Sequence, residues 1–479
     1  MTENSFEDEE YIAEAFARPS KKQEVAFALS SFYILLFGMW GSIQLYAVTV
    51  LLIPLFFIPL IYLIYSIVDS VNDPLIGYYT DRSKRFTEKY GKRFPWIVIG
   101  TIFTPILLLL AFYPPVELTS DPNSVILVVI WMISMMCLFE TFATLREISQ
   151  EALFPDLFRY KDQRSAVLGI GMLFTLVAQL IAAVSIPLIM ASLGGATEQI
   201  AFIGAALFII FLTYVVSIPY LIWGVRENYE MKQFRLRLDQ EMKEYEPVLK
   251  VYKRIFKDRN WMALIISFLI WGTGGLCFLG GGTYFVLFYL GLGIEVQALP
   301  GLILITTATI SIPFWLKLSK KISIKNFYIF GMVLSAIGFF SYFFVEDYTG
   351  YVIMSGFMGI VWSGVWGITF KMAQAEAIDN ATIINGKREE ASYAGLFRVF
   401  SAFTYFFQSL VFFIVWTLTG FEPVKRADQT ELARLGLKLL ISIIPATLAV
   451  IAILIFVVMY TISKEDAVQN KKKLAELGL

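Results

Sequence analysis

Residues 62–82 read YLIYSIVDSVNDPLIGYYTDR. The apolar residues are those of a helix interior, yet Asp69, Asn72 and Asp73 interrupt them at i, i+3 and i+4. That spacing puts all three on one helical face. The run 54–80 around them is long enough to cross a bilayer, which takes about 20 mostly apolar residues. Ionisable side chains inside such a span are costly and usually functional. The stretch therefore predicts a membrane helix with one deliberately polar face.

The rest of the chain extends this reading. Of 479 residues, 57% are hydrophobic and 16% charged, whereas a soluble domain has about 45–50% apolar and about 25% charged residues. Further spans are expected near 24–50, 95–114, 124–154, 165–192, 200–225, 260–291, 299–318, 326–345, 350–375, 393–419 and 437–462. The chain then divides into a tail (1–23), a six-helix half (24–225), a central loop (226–259), a second half (260–462) and a C-terminal tail (463–479). The expected fold is an all-α membrane protein, a bundle of 12 transmembrane helices in two six-helix halves.

Of the 39 Lys and Arg residues, 33 fall in the two tails and in alternate loops that share one side. The basic side is cytoplasmic in such proteins, so both termini and the central loop are expected there. The loop before the last span departs from the rule, with Lys425, Arg426, Arg434 and Lys438. The first 23 residues are polar and acid-rich, which argues against a cleavable signal peptide. Net charge is zero, so no basic field points to nucleic acid. Cys137 and Cys277 lie in apolar runs and build no disulfide framework. Histidine is absent, so any ion coupling must use carboxylates. HExxH motifs and nucleophile elbows are also absent, which argues against an intramembrane enzyme.

Two carboxylates and an amide are hard oxygen ligands suited to a small cation. Neighbouring carboxylates also raise one another's proton affinity, so a proton could serve instead. The bland alternative pairs Asp69 and Asp73 with arginines of adjacent helices. Pro74 removes a backbone donor. Residues 139–156 read FETFATLREISQEALFPD, with Thr144, Glu147 and Glu151 at i, i+3 and i+7 on one face. Thr144 could complete the cation site, and Glu147 or Glu151 could meet substrate. Arg146 is either a substrate contact or a structural counter-charge. Glu140 has the weakest claim. Residues 271–285, WGTGGLCFLGGGTYF, are rich in glycine, which serves close helix packing or a broken helix near substrate; packing is the stronger explanation. Trp40, Trp271, Trp362 and Trp366 lie inside spans, either as packing or as stacking platforms for a sugar.

These residues resemble a known family. DSVNDPLIGYYTDR (69–82) with YGKRFPWIVIG (90–100) is similar to the span 2 signature of the glycoside–pentoside–hexuronide:cation symporters, the melibiose permease family of the major facilitator superfamily. LFPD (153–156), RYKDQRSA (159–166), AEAID (375–379) and NGKREEASYAG (385–395) continue the likeness. The resemblance implies that Asp69, Asn72, Asp73 and Thr144 bind sodium, lithium or a proton, with no other cofactor. It implies a cytoplasmic gate of Gly77, Asp81, Arg82, Arg164, Glu376, Asp379 and Arg388, where Glu376 replaces the family's usual aspartate. The sugar site departs from the family. The family's span 1 aspartate falls at Tyr33, and its span 4 aspartate and tryptophan fall at Glu147 and Glu151. Its span 5 arginine falls near Met172 and its span 11 lysine at Ala402, with Arg398 one turn earlier. Glu147, Glu151, Arg146 and Arg398 are therefore the substrate candidates.

The expectation is a monomeric plasma-membrane symporter that moves a polar organic solute, a sugar or glycoside, with a cation. The alternative cargo is a lysolipid or another amphipathic or cationic solute. A sensor that has lost transport would have no need of buried carboxylates. The topology is checked by cysteine labelling: sites introduced in 226–259 should react with an impermeant reagent only after permeabilisation, and a site near 195 should react in intact cells. The opposite pattern would overturn the orientation.

Overall fold

The computed structural model describes residues 18–82, 87–115, 124–227, 248–386 and 389–476. Among them, twelve long helices follow one another: α1 (Lys21–Thr49), α2 (Phe57–Arg82), α3 (Phe94–Ala111), α4 (Val125–Leu157), α5 (Lys161–Ser192), α6 (Gln199–Gly224), α7 (Arg259–Tyr289), α8 (Ile294–Ser319), α9 (Ile324–Phe344), α10 (Tyr348–Asn385), α11 (Ser392–Thr419) and α12 (Glu431–Met459). Eleven are long and apolar enough to cross a membrane. The other is α2, 26 residues long, whose apolarity is lowered by Asp69, Asn72 and Asp73. It runs unbroken through Pro74.

Two boundaries differ in an instructive way from the hydropathy reading. α10 continues to Asn385, past the apolar limit near 375, because four of the nine residues in AQAEAIDNA are alanine, the best helix former, although the stretch is polar. α12 begins at Glu431 rather than 437, with an amphipathic first stretch. That stretch carries part of the basic exception. Lys438 is 7% exposed and donates to Glu346, which also accepts from Tyr289 Oη at 2.5 Å. The Lys438 hydrogen bond, then that of Tyr289, hold the Glu346 carboxyl below the usual carboxylate range. Lys425 pairs with Glu422 at 2.7 Å. Two of the four basic residues near the start of α12 thus have acidic partners.

The chain enters α1 and leaves α12 on one face, called the terminal face below. There Gln23 donates to the Arg226 carbonyl at 3.3 Å and Arg259 to the Val458 carbonyl at 2.9 Å. The six helices of each half pack together, and the halves meet where α2 lies against α11 and α5 against α8. α1 is not one smooth helix. A tight turn spans Leu29–Tyr33, and the helix breaks again at Gly41 and Ser42 before Ile43–Thr49. Glycine, the weakest helix former after proline, makes the second break inexpensive.

Close helix approach is enforced by small residues. A Cβ at Gly274 would lie 3.2 Å from Pro445, one at Gly281 2.8 Å from Ile441, and one at Gly282 2.6 Å from the Tyr351 hydroxyl. α7 stays continuous through this cluster up to Tyr284. The span 7 glycines therefore serve packing. Gly77 does not: a Cβ there would meet nothing within 4 Å. Gly359 is the severe case, because a Cβ would lie 2.2 Å from the Leu304 carbonyl oxygen. Gly359→Ala should push α10 from α8 and destabilise by about 1–3 kcal/mol. Gly77→Ala should fall within about 0.5 kcal/mol of wild type. Melting curves of both variants in detergent check the pair; equal melting temperatures would contradict the packing.

Candidate transport site

The polar face of α2 meets α4 in register. Tyr65 Oη donates to Glu140 Oε2 at 2.8 Å, and Asn72 Nδ2 to Thr141 Oγ1 at 3.1 Å. Between these two bonds the carboxyls of Asp69 and Glu140 lie within electrostatic reach of each other. The paired residue numbers rise together, so α2 and α4 run parallel. Glu140, Thr144, Glu147 and Glu151 stand at i, i+4, i+7 and i+11, which makes one acidic stripe down α4. Thr144 is buried on that stripe. The α4 hydroxyl that bonds Asn72 is Thr141, three residues earlier.

One turn further along α2, the partner comes from the other half of the molecule. Arg398 on α11 donates to Asp73 Oδ2 at 3.4 Å and to Glu151 Oε1 at 2.7 Å. A guanidinium suits this task because its planar fork can serve two carboxylates at once. Serine hydroxyls fasten the same seam: Ser66 donates to the Ala402 carbonyl at 2.8 Å and Ser70 to that of Val399 at 3.1 Å. Glu147 lies within electrostatic reach of Arg398 and Asp73, and Lys371 of α10 within reach of Arg398 and Glu151. The result is a mixed-charge layer between α2, α4, α10 and α11.

Arg146 turns away from this layer. It is 2% exposed, donates to the Ser30 carbonyl at 3.0 Å, and lies 3.6 Å over the Tyr33 ring. Tyr33 donates in turn to the Thr101 carbonyl at 2.8 Å. Stacking on a desolvated ring face satisfies a cation where water is excluded. Arg146 thus ties α4 to α1, the structural role that the sequence left open, with a carbonyl and rings as its partners. Gly100 makes the approach possible, since a Cβ there would lie 2.6 Å from Arg146 Cβ.

The expected gate residues are spread over the terminal face. Arg164 donates to the Phe158 carbonyl at 2.6 Å and to that of Pro155 at 3.3 Å, clamping the α4–α5 turn. Glu376 accepts from Tyr460 Oη at 2.8 Å, and Asp379 lies nearly one turn on along α10. Asp81 and Arg82 end α2, with their side chains outside the described set, and Arg388 lies outside the described residues. The structure thus brings Asp69, Asn72, Asp73, Glu147, Glu151 and Arg398 together, and places Arg146, Arg164 and Glu376 elsewhere. Glu140, Thr141, Tyr65 and Lys371 are the members that sequence reasoning ranked low or missed. The signal for Glu140 was available in its spacing from Thr144. Among the described residues, no three acidic or thiol side chains converge as a ready cage for a metal ion.

Of the tryptophans inside the spans, Trp40 and Trp271 are buried, whereas Trp366 is 45% exposed. Trp271, Trp362 and Trp366 stand together with Phe268, with Trp271 and Trp362 centroids 5.7 Å apart. Trp40 stacks on Phe139 at 4.2 Å. A wide, π-type turn at Ser363–Thr369 carries Trp366 within this group; such turns recur at functional sites.

Residues 16–464 match the family described as MFS/sugar transport protein. Sodium-dependent lysophosphatidylcholine symporter 1 of Xenopus tropicalis is 23% identical over 470 residues, covering 90% of this chain and 85% of that protein. Lactose permease of Lactobacillus helveticus is 22% identical over 429 residues, covering 86% of this chain and 64% of that protein. Among solved structures, the nucleoside transporter NupG superposes with a TM-score of 0.61 at 15% identity, covering 93% of this chain and all of that one. The D-xylose-proton symporter does so at 0.60 and 14% identity, covering 92% and 97%. The match over nearly the whole chain, joined to twelve helices in two halves around a charged seam, shows that this chain belongs to the MFS/sugar transport protein family and is a multi-pass membrane transporter of the major facilitator superfamily.

Proposed function

We propose that the chain is a cation-coupled symporter of the plasma membrane, with both termini in the cytoplasm, and that Asp69, Asn72, Asp73 and Thr144 hold the coupling cation. The observation that carries this reading is the bond from Arg398 to Asp73 across the two halves. A guanidinium on one half and a small cation are rivals for the same carboxylate. When sodium, lithium or a proton takes Asp73, Arg398 loses that partner and the α2–α11 seam weakens. When the cation leaves, Arg398 returns and the seam closes. Cation occupancy is thereby tied to the contact between the halves, which alternating access requires. The sodium dependence in the name of several relatives supports the same reading. Gly77, Asp81, Arg82, Arg164, Glu376, Asp379 and Arg388 would form the cytoplasmic gate, as the family resemblance implies.

The solute is a polar organic molecule, a sugar or glycoside, that meets Glu147 and Glu151. Carboxylate oxygens accept hydrogen bonds from hydroxyls. Free acids are disfavoured by the four carboxylates of α4 and α2 nearest Arg398. A second reading, a lysophospholipid, is favoured by relatives whose names specify lysophosphatidylcholine, the Xenopus tropicalis and Gallus gallus proteins at 23% and 24% identity among them. Its choline group would face the same acidic stripe. Uptake of labelled glycosides and of lysophosphatidylcholine into proteoliposomes, with imposed sodium or proton gradients, decides between the two.

Two outcomes follow for the coupling site. Asp73→Asn should abolish cation-stimulated uptake in those vesicles, because a neutral amide neither holds a cation nor binds Arg398 strongly. Full cation dependence in Asp73→Asn and in Asp69→Asn would end the assignment. Arg398→Gln removes the rival, so the cation concentration for half-maximal binding should fall several-fold while coupled uptake drops. An unchanged or higher requirement would show that Arg398 does not compete.

A further inference from the structure

Phe268 of α7, Phe370 of α10 and Phe397 of α11 form a closed set of rings, with centroids 4.7, 4.8 and 5.2 Å apart. Phe370 is buried among them. Lys371 and Arg398 are the residues that follow two of these rings in the chain. The ring contact therefore sets two basic residues side by side on neighbouring helices. α10 is re-aimed just before this point, because the wide turn at Ser363–Thr369 ends at the residue before Phe370. An i→i+5 turn holds more residues than an α-helical one, so it rotates everything that follows it.

Two cations held close together within a membrane-spanning bundle repel one another, so the arrangement requires an explanation. Arg398 has one, since it holds Asp73 and Glu151, but Lys371 has none yet. Among the described residues its ammonium makes no hydrogen bond or ion pair. The charges within its electrostatic reach are Arg398 and Glu151. Both basic residues thus address one carboxylate, and Arg398 occupies it. Arg398 is itself shared unevenly, at 2.7 Å from Glu151 and 3.4 Å from Asp73. An ammonium on a four-carbon stem can reach for Glu151 by a change of rotamer. Partly exposed pairs such as these exchange partners at small cost.

We propose that Lys371 is a positioning residue for cation coupling. It competes for Glu151 and repels the guanidinium, and both effects press Arg398 onto Asp73. Lys371 touches no coupling cation itself. It sets how much cation is needed to displace Arg398 from Asp73. Without it, Arg398 rests on Glu151 and leaves Asp73 open to ions, which gives a carrier that fills readily and empties poorly. The inference rests on the reading that Arg398 and the cation exclude one another at Asp73. It goes beyond that reading by naming the residue that tunes the exclusion.

Calorimetric titration of sodium, lithium and acid into the purified full chain in nanodiscs, at constant ionic strength, tests the role. Lys371→Met and Lys371→Gln should each lower the half-saturating cation concentration about 5-fold, the scale of one nearby unit charge in a partly solvated site. Lys371→Arg keeps the charge and should stay within about 2-fold of wild type. Lys371 is exposed, so these changes should leave ligand-free melting unaltered. In an Arg398→Gln background, Lys371→Met should add no further change, because residues that act through one another are not additive. The full effect of Lys371→Met in that background would show Lys371 acting on the ion by its field alone, and would overturn the positioning role. An unchanged cation requirement in both Lys371→Met and Lys371→Gln would overturn it too, while leaving the competition between Arg398 and the cation intact. An unchanged requirement in Arg398→Gln, or no saturable binding of any of the three cations to wild type, would overturn the coupling scheme and this inference with it.

Discussion

A carboxylate at mid-membrane must find a proton, a cation or water, because leaving it bare costs at least about 2.5–3.5 kcal/mol on insertion scales. This chain places Asp69 and Asp73 there on α2, with Glu140, Glu147 and Glu151 on the facing stripe of α4. Every nearby feature answers that constraint. Glu140 meets Tyr65, Asn72 meets Thr141, and Arg398 crosses from the other half to Asp73 and Glu151. Arg398 is 40% and Glu151 62% exposed, so these ion pairs are partly solvated and add little net stability by themselves. The pairing is therefore suited to a switch, since an incoming cation can replace the partner at small net cost.

The same constraint explains the contrast between the two seams. The α5–α8 contact is apolar and close, with a Cβ at Gly301 calculated to lie 3.2 Å from Ala183 Cβ. The α2–α11 contact is polar, built from Arg398 and two serine hydroxyls that reach backbone carbonyls. Bonds to carbonyls can be exchanged for others as helices slide, and an ion pair can be displaced by a rival charge. Arg146, in contrast, is locked between a carbonyl and an aromatic face within one half, so that half can move as a unit.

Much of this was legible in the sequence for physical reasons. Apolar length shows a span, the basic bias orders the loops, and i, i+3, i+4 spacing shows that Asp69, Asn72 and Asp73 share a face. Helical spacing says nothing, however, about which neighbour a face meets. Arg146 stands beside Glu147 in the chain but points to Tyr33 and Ser30, since successive residues on a helix diverge by about 100°. Glu140 ranked low because it lies higher in the span, yet it accepts from Tyr65 on the polar helix α2. The hydrogen bond from Gln408 to Gln44 was not legible, because it joins residues 364 positions apart.

The central claim is that the α2 carboxylates hold the coupling cation in competition with Arg398. Calorimetric titration of sodium, lithium and acid into purified wild type, Asp69→Asn and Arg398→Gln tests it most directly. The account predicts saturable binding of at least one of these cations to wild type, tighter binding to Arg398→Gln, and none to Asp69→Asn. Equal binding by all three proteins would contradict it.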